Sequence, residues 1–216
     1  MQPSLKKPAN DHGSTLSLFI ISSFLVLAIF SFLDYVFPEG PMDQITKLLR
    51  KGDLRTKGRS EDVVKLALRR PELFKDVVAA ILDDDRGVRM RAADAVEKIS
   101  RIHPEWLKPH KKLFLRAITK IKQQEVRWHV AQMLPRFKLT TPERRAVFVL
   151  MQTYLDDESS IVRTCAMQAL ADIALQDGRY LPDVMKIVEK HMKNGSPAMK
   201  ARGRKLMGIL NKADGR

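Results

Sequence analysis

The 216-residue chain predicts an all-α fold: a short α-solenoid of helix pairs, preceded by a single N-terminal hydrophobic helix. Three observations carry that expectation. A short phrase recurs four times at nearly constant spacing, an amphipathic segment precedes each copy, and one apolar run near the start stands apart from both.

The apolar run comes first in the chain. Between Lys7 and Asp34 the only formal charge is Asp11, and LSLFIISSFLVLAIFSFLDYVF, residues 16–37, is apolar apart from serines and one late aspartate. A bilayer is crossed by about 20 predominantly apolar residues, so the run is long enough to span one. A cleaved secretory signal is the nearest alternative, but its apolar core is usually about 7–15 residues and ends at a small-x-small site, which Phe32 to Pro41 lacks.

Lysine and arginine flank the run unevenly. Lys6 and Lys7 precede it, whereas Lys47, Arg50, Lys51, Arg55 and Lys57 follow, with Arg59 just beyond. Positive flanks stay on the cytoplasmic side. The expected organisation is a polar outer N-terminus (1–15), a transmembrane helix (16–37), a basic juxtamembrane linker and first helix (38–60), and a cytoplasmic repeat domain (61–212). Near anionic headgroups each of those following cations is worth about 1 kcal/mol. Translation from Met42 would retain every repeat and leave the protein cytoplasmic.

The recurring phrases are VRMRAADAV, VRWHVAQML, VRTCAMQAL and MKARGRKLM, beginning at Val88, Val126, Val162 and Met199, which are 38, 36 and 37 residues apart. Periods of this size mark stacked supersecondary units. Offsets 0, 4, 7, 8 and 11 from each first residue are apolar or small: Val88, Ala92, Ala95, Val96 and Ile99 in the first unit, Met199, Gly203, Leu206, Met207 and Leu210 in the last. Those offsets make one stripe on a 3.6-residue helix. Before each phrase runs a second amphipathic segment, such as PELFKDVVAAIL from Pro71 or PEWLKPHKKLFLRAI from Pro104. Each unit is therefore a helix pair, with second helices starting near residues 87, 125, 161 and 198.

The period, the acidic turn before Val-Arg in DDDRGVR and DDESSIVR, and the alanine-rich second helix resemble the HEAT-repeat family from about Met42 to Lys212. The resemblance implies an armadillo-like α-solenoid whose second helices line a concave face used for scaffolding and adaptor work. The second unit departs from the pattern with QQEVR. The fourth has Lys200 and Gly203 where arginine and alanine are usual, which suits a terminal cap. Similarly shaped DNA alkylation-repair glycosylases use a basic cleft with tryptophans and an aspartate; Trp106 and Trp128 are present here, without a matching aspartate-bearing motif.

Other constellations favour structure over chemistry. Asp83 to Asp85 and Asp156 to Glu158 precede helices, where acidic side chains cap free amides and suit the positive helix end. Arg89, Arg127, Arg163 and Lys200 recur once per unit, as contacts of a stacked ladder do. The five histidines show no metal-ligand spacing, no glycine-rich phosphate loop appears, and the single cysteine, Cys165, has no activating base beside it in sequence. No enzyme, metal, cofactor or small-molecule substrate is indicated.

The net charge of +14 favours anionic partners. It is concentrated in three stretches, the richest being Arg101 to Arg145 with twelve basic against three acidic residues. The expected function is a non-enzymatic protein–protein interaction scaffold, with nucleic-acid binding through the basic surface as the alternative. At about 100° per residue the core offsets average near 24°, while offsets 2 and 6 fall at about 200° and 240°. Met90, Asp94, Trp128, Gln132, Thr164 and Gln168 occupy those positions and are the expected partner-binding residues of the concave face.

Overall fold

Short polar caps or prolines stand at the starts of six of the ten described helices. In the computed structural model, which describes residues 41–50 and 58–215, the described residues form ten α-helices and no strand. Residues 16–37 lie outside the described residues, as do Lys51, Arg55 and Lys57; no described helix is long and apolar enough to cross a membrane.

An opening pair, α1 (Pro41–Arg50) and α2 (Ser60–Arg69), precedes four further pairs. The second helices of those pairs are α4 (Arg86–Ile102), α6 (Gln124–Met133), α8 (Ser160–Gln176) and α10 (Pro197–Ala213). Asp85, Ser159 and Ser196 cap three of them, accepting the N–H of Val88 at 2.9 Å, of Val162 at 3.4 Å and of Met199 at 3.4 Å. The first residue of each phrase is thus the third helical residue, whose amide has no partner within its own helix. Gln123, before α6, makes no such cap, matching the departure at QQEVR.

The first helices are less regular. α3 (Phe74–Ala79) is flanked by 3-10 turns, α7 (Thr141–Tyr154) opens with a capping box between Thr140 and Glu143, and α9 (Leu181–Asn194) carries proline in its first turn. The stretch from Pro104, which the sequence pattern makes one amphipathic helix, instead splits into a 3-10 segment (Pro104–His110) and α5 (Lys111–Arg116). Pro109 sits inside it, and proline both lacks the donor and clashes with the carbonyl four residues back.

Nineteen of the twenty core-offset residues are buried. The exception is Met207, at offset 8 of the last unit, where no described helix follows to cover it. Packing runs in chain order: α2 against α4, α4 against α6, α6 against α8, α8 against α10, with α7 and α9 both against α8. A second stripe is buried as well. Ala93, Ala131 and Met167 occupy it at offset 5, and Glu97, Pro135 and Ala171 at offset 9; α10 has exposed Arg204 and Gly208 there.

Arg91 is the largest fully buried side chain, and its Nη1 donates to the Leu49 carbonyl at 2.7 Å. A cation suits that place, the negative end of α1. Gly87 leaves room for the guanidinium, since a Cβ there would lie 2.8 Å from Arg91 Nη1. Gly87→Ala is expected to destabilise by about 1–2 kcal/mol through overpacking, read as a lower urea midpoint at unchanged slope.

Candidate partner-binding groove

Two sets of polar contacts hold successive second helices in register. At their N-terminal ends the Val-Arg arginines grip the preceding turn: Arg89 Nη1 donates to the Asp83 and Asp84 carbonyls at 2.8 and 2.9 Å, and Arg163 Nη1 to those of Asp157 and Glu158 at 2.6 and 3.1 Å. The same ends are joined between units. Arg89 Nε donates to Gln123 Oε1 (2.9 Å), Gln123 Nε2 donates to the Arg86 carbonyl (3.0 Å), Arg127 pairs with Asp157, and the Ser160 and Ser196 hydroxyls meet at 2.9 Å.

Toward the other ends of these helices lies a buried cluster. Glu97, 2% exposed, takes Arg136 Nη2 at 2.5 Å and Arg101 Nη2 at 2.6 Å, while Arg136 Nη1 reaches the Glu97 carbonyl at 2.8 Å and Ser100 Oγ at 2.7 Å. Burial pushes the Glu97 carboxyl up, but the hydrogen bonds from Arg136 and Arg101 outweigh it and leave the group below the usual glutamate range. Gln176 Nε2 donates to the Pro135 carbonyl (2.8 Å), tying α8 to the end of the preceding unit.

Beside this cluster an open groove of about 700 Å³ crosses four successive second helices. Arg101 comes from α4, Gln132 from α6 and Arg136 from the turn after it, Gln168, Asp172 and Leu175 from α8, and Arg202 from α10. Its polar groups are partly linked: Gln168 Nε2 donates to Asp172 Oδ1 (2.8 Å), and Arg202 Nη1 donates to Gln168 Oε1 (3.1 Å). Burial raises the Asp172 carboxyl despite the Gln168 hydrogen bond. Leu175, 44% exposed, is an apolar point in this polar surface.

Of the six residues expected on this face, Gln132 and Gln168 line the groove. Met90, Trp128 and Thr164 are half-buried nearer the N-terminal ends of their helices. Asp94 is committed to internal contacts, accepting Lys98 Nζ and Ser60 Oγ, each at 2.7 Å, and Lys98 also pairs with Glu61 of α2. Leu175, Arg101, Asp172 and Arg202 were not expected. For three of them the signal was present: Asp172 at offset 10 and Arg101 and Leu175 at offset 13 fall at about 280° and 220°, on the same side as offsets 2 and 6, one or two turns further along, while Arg202 at offset 3 falls at about 300°.

The Trp128 ring packs against the core and meets His129 edge-on at 5.6 Å. Trp128→Ala is accordingly expected to cost about 2 kcal/mol of stability, roughly half the figure for a fully buried ring, measured by urea unfolding. Trp106 stacks on His103 at 4.4 Å and contacts Phe74 edge-on at 5.5 Å; neither tryptophan lines the groove. Among the juxtamembrane cations, Arg50 lies 4.0 Å from Asp83, Arg59 pairs with Asp62 at 2.7 Å, and Lys47 is exposed on α1.

Reactive side chains are muted. Burial raises the Cys165 thiol to about 11, far from a thiolate at neutral pH. Among the described residues no cluster of three or more His, Cys, Asp or Glu side chains could hold a metal ion.

No protein-family model and no curated protein matches this chain. In fold it is similar to a crystal structure described as that of an engineered protein, with a TM-score of 0.53 at 17% identity, covering 81% of this chain and 80% of that one. At that identity the likeness concerns helical architecture alone.

Proposed function

We propose that the chain is a non-enzymatic scaffold: a short HEAT-like α-solenoid, tethered by residues 16–37 to the cytoplasmic face of a membrane, that binds a protein segment along its second-helix groove. The groove carries this reading. It draws amide, carboxylate, guanidinium and apolar groups from four successive units, so a partner chain lying across it meets both hydrogen-bonding groups and the exposed Leu175. The chain-order packing of the second helices and their repeated caps support the solenoid reading. The tether rests on the sequence of 16–37 and its basic flank.

A photo-crosslinker placed at residue 132 or 168 of the membrane-bound full chain tests the groove. A discrete adduct is expected, lost in Leu175→Glu and kept in Arg204→Glu on the exposed side of α10; an adduct indifferent to Leu175→Glu would sink the reading. Both exposed substitutions are expected to change stability by no more than about 0.5 kcal/mol. The tether is checked separately: the full chain should stay in the pellet after alkaline wash, and its appearance in the soluble fraction overturns the anchor.

Nucleic-acid binding is the second reading, favoured by exposed cations between Lys108 and Lys122 that have no counter-charge among the described residues. It requires duplex affinity to fall steeply with salt, with a logarithmic slope of roughly 0.9 per phosphate neutralised.

A further inference from the structure

Part of the basic excess of residues 101–145 flanks one feature. Lys108, Lys112, Arg116, Lys120 and Arg145 are exposed, and none of these side chains makes a hydrogen bond or ion pair with a described residue. Neighbouring cations differ: Lys111 is paired with Glu143 at 2.8 Å and Arg144 with Asp177 at 2.9 Å. Between α5 and α7, on the first helices and away from the groove residues, lies an open cleft of about 360 Å³. Leu115, Pro142, Ala146, Val147 and Leu150 make it mainly apolar, and its one charged lining residue is the already paired Glu143.

Helical rotation places three of these cations, Lys112, Arg116 and Arg145, beside the walls of the cleft. Lys112 and Arg116 lie about 60° and 100° around α5 from Leu115. On α7, Arg145 and Val149 lie about 100° and 60° from Ala146, on the side opposite Val147. Val149 is 50% exposed, so apolar surface continues outward between the cations.

We propose that this cleft docks an acidic amphipathic helix of a partner protein, its apolar side chains entering between α5 and α7 and its carboxylates meeting Lys112, Arg116 and Arg145. Grouped like charges without counter-charges disfavour one another, and an acidic partner relieves that while fixing orientation. A phosphate backbone or a layer of lipid headgroups would also satisfy the cations, but neither uses a concave apolar slot between two helices. An amphipathic helix fills such a slot with residues spaced i, i+3/i+4 and i+7. This surface is separate from the second-helix groove and does not depend on the function proposed for that groove.

The test uses the full chain and a fluorescent synthetic helix with leucines at helical spacing and glutamates elsewhere, followed by anisotropy at low and high salt. Binding is expected, and it should weaken at least about tenfold in Arg116→Glu/Arg145→Glu. The equal charge change Arg204→Glu/Lys205→Glu on α10 should alter it less than about twofold, and a leucine-to-serine version of the helix should bind at least about tenfold more weakly. Circular dichroism of each variant confirms that these exposed substitutions leave the helices intact. Leu175→Glu should leave this binding unchanged, which separates the cleft from the groove. Three results overturn the proposal: no binding at low salt, equal loss on reversing the α10 charges, or undiminished binding of the leucine-free helix. Duplex DNA or anionic vesicles competing through Arg116 and Arg145 as strongly as the leucine helix would also overturn it, marking a general polyanion surface.

Discussion

Arg136→Met is expected to lower the unfolding free energy by about 3 kcal/mol, because it leaves the Glu97 carboxylate buried without its principal partner. The low end of the range for broken buried pairs applies, since Arg101 remains on the other carboxylate oxygen. Ser100 Oγ and the Glu97 carbonyl also lose a donor. Adding Glu97→Leu should restore much of the loss by removing the stranded charge, and the double-mutant cycle in urea gives the coupling. If the double variant is no more stable than Arg136→Met, the cluster is not what holds the ends of α4 and α6 together. The pH sign follows from the lowered Glu97 carboxyl. Its contribution is present above the unfolded glutamate pKa and is lost as pH falls through the folded value.

A loss of stability of about 2–3 kcal/mol between pH 7 and pH 4.5 is expected from His129 alone. Burial lowers its pKa to about 4, against the weaker opposing pull of Asp94 and Glu97 and with the help of Lys98 and Arg101. Its Nδ1 is buried without a partner among the described residues, and its Nε2 is 3.9 Å from Asp94 Oδ1; with the ring neutral at pH 7 that contact is not an ion pair. A depressed folded pKa means the unfolded chain binds the proton first. Stability is therefore full above the unfolded value near 6.5 and falls as pH drops toward 4. Burial lowers the pKa values of His110 and His191 in the same direction, so the test is the difference between wild type and His129→Leu. The variant should be within about 1 kcal/mol of wild type at neutral pH and lose less on acidification. Parallel stability curves for the two proteins would exclude His129 as the source.

The starts of the second helices were legible in the sequence because they depend on local physics. Asp85, Ser159 and Ser196 accept amides three residues ahead, so cap, turn and first core valine or methionine recur as one phrase whatever the surroundings. The core stripe at offsets 0, 4, 7, 8 and 11 is likewise a property of one helix and its 3.6-residue period.

What only the tertiary structure decided is which outward positions remain outward. Asp94 and Gln132 share offset 6, yet Asp94 is taken up by Ser60 and Lys98 beside α2, whereas Gln132 stays on the groove wall. Glu97 is a charged residue with no sequence sign of burial; it is buried because Arg136, 39 residues later, arrives on the neighbouring unit to neutralise it. The basic residues gave a strong net charge but no pairing, because Lys111 finds Glu143 across 32 residues while Lys112 and Arg116 find no partner among the described residues. Periodicity fixes the direction of a side chain about its own axis. Whether that direction meets solvent, a cleft or a counter-charge depends on the stagger between adjacent helices, which long-range contacts set and no single repeat contains.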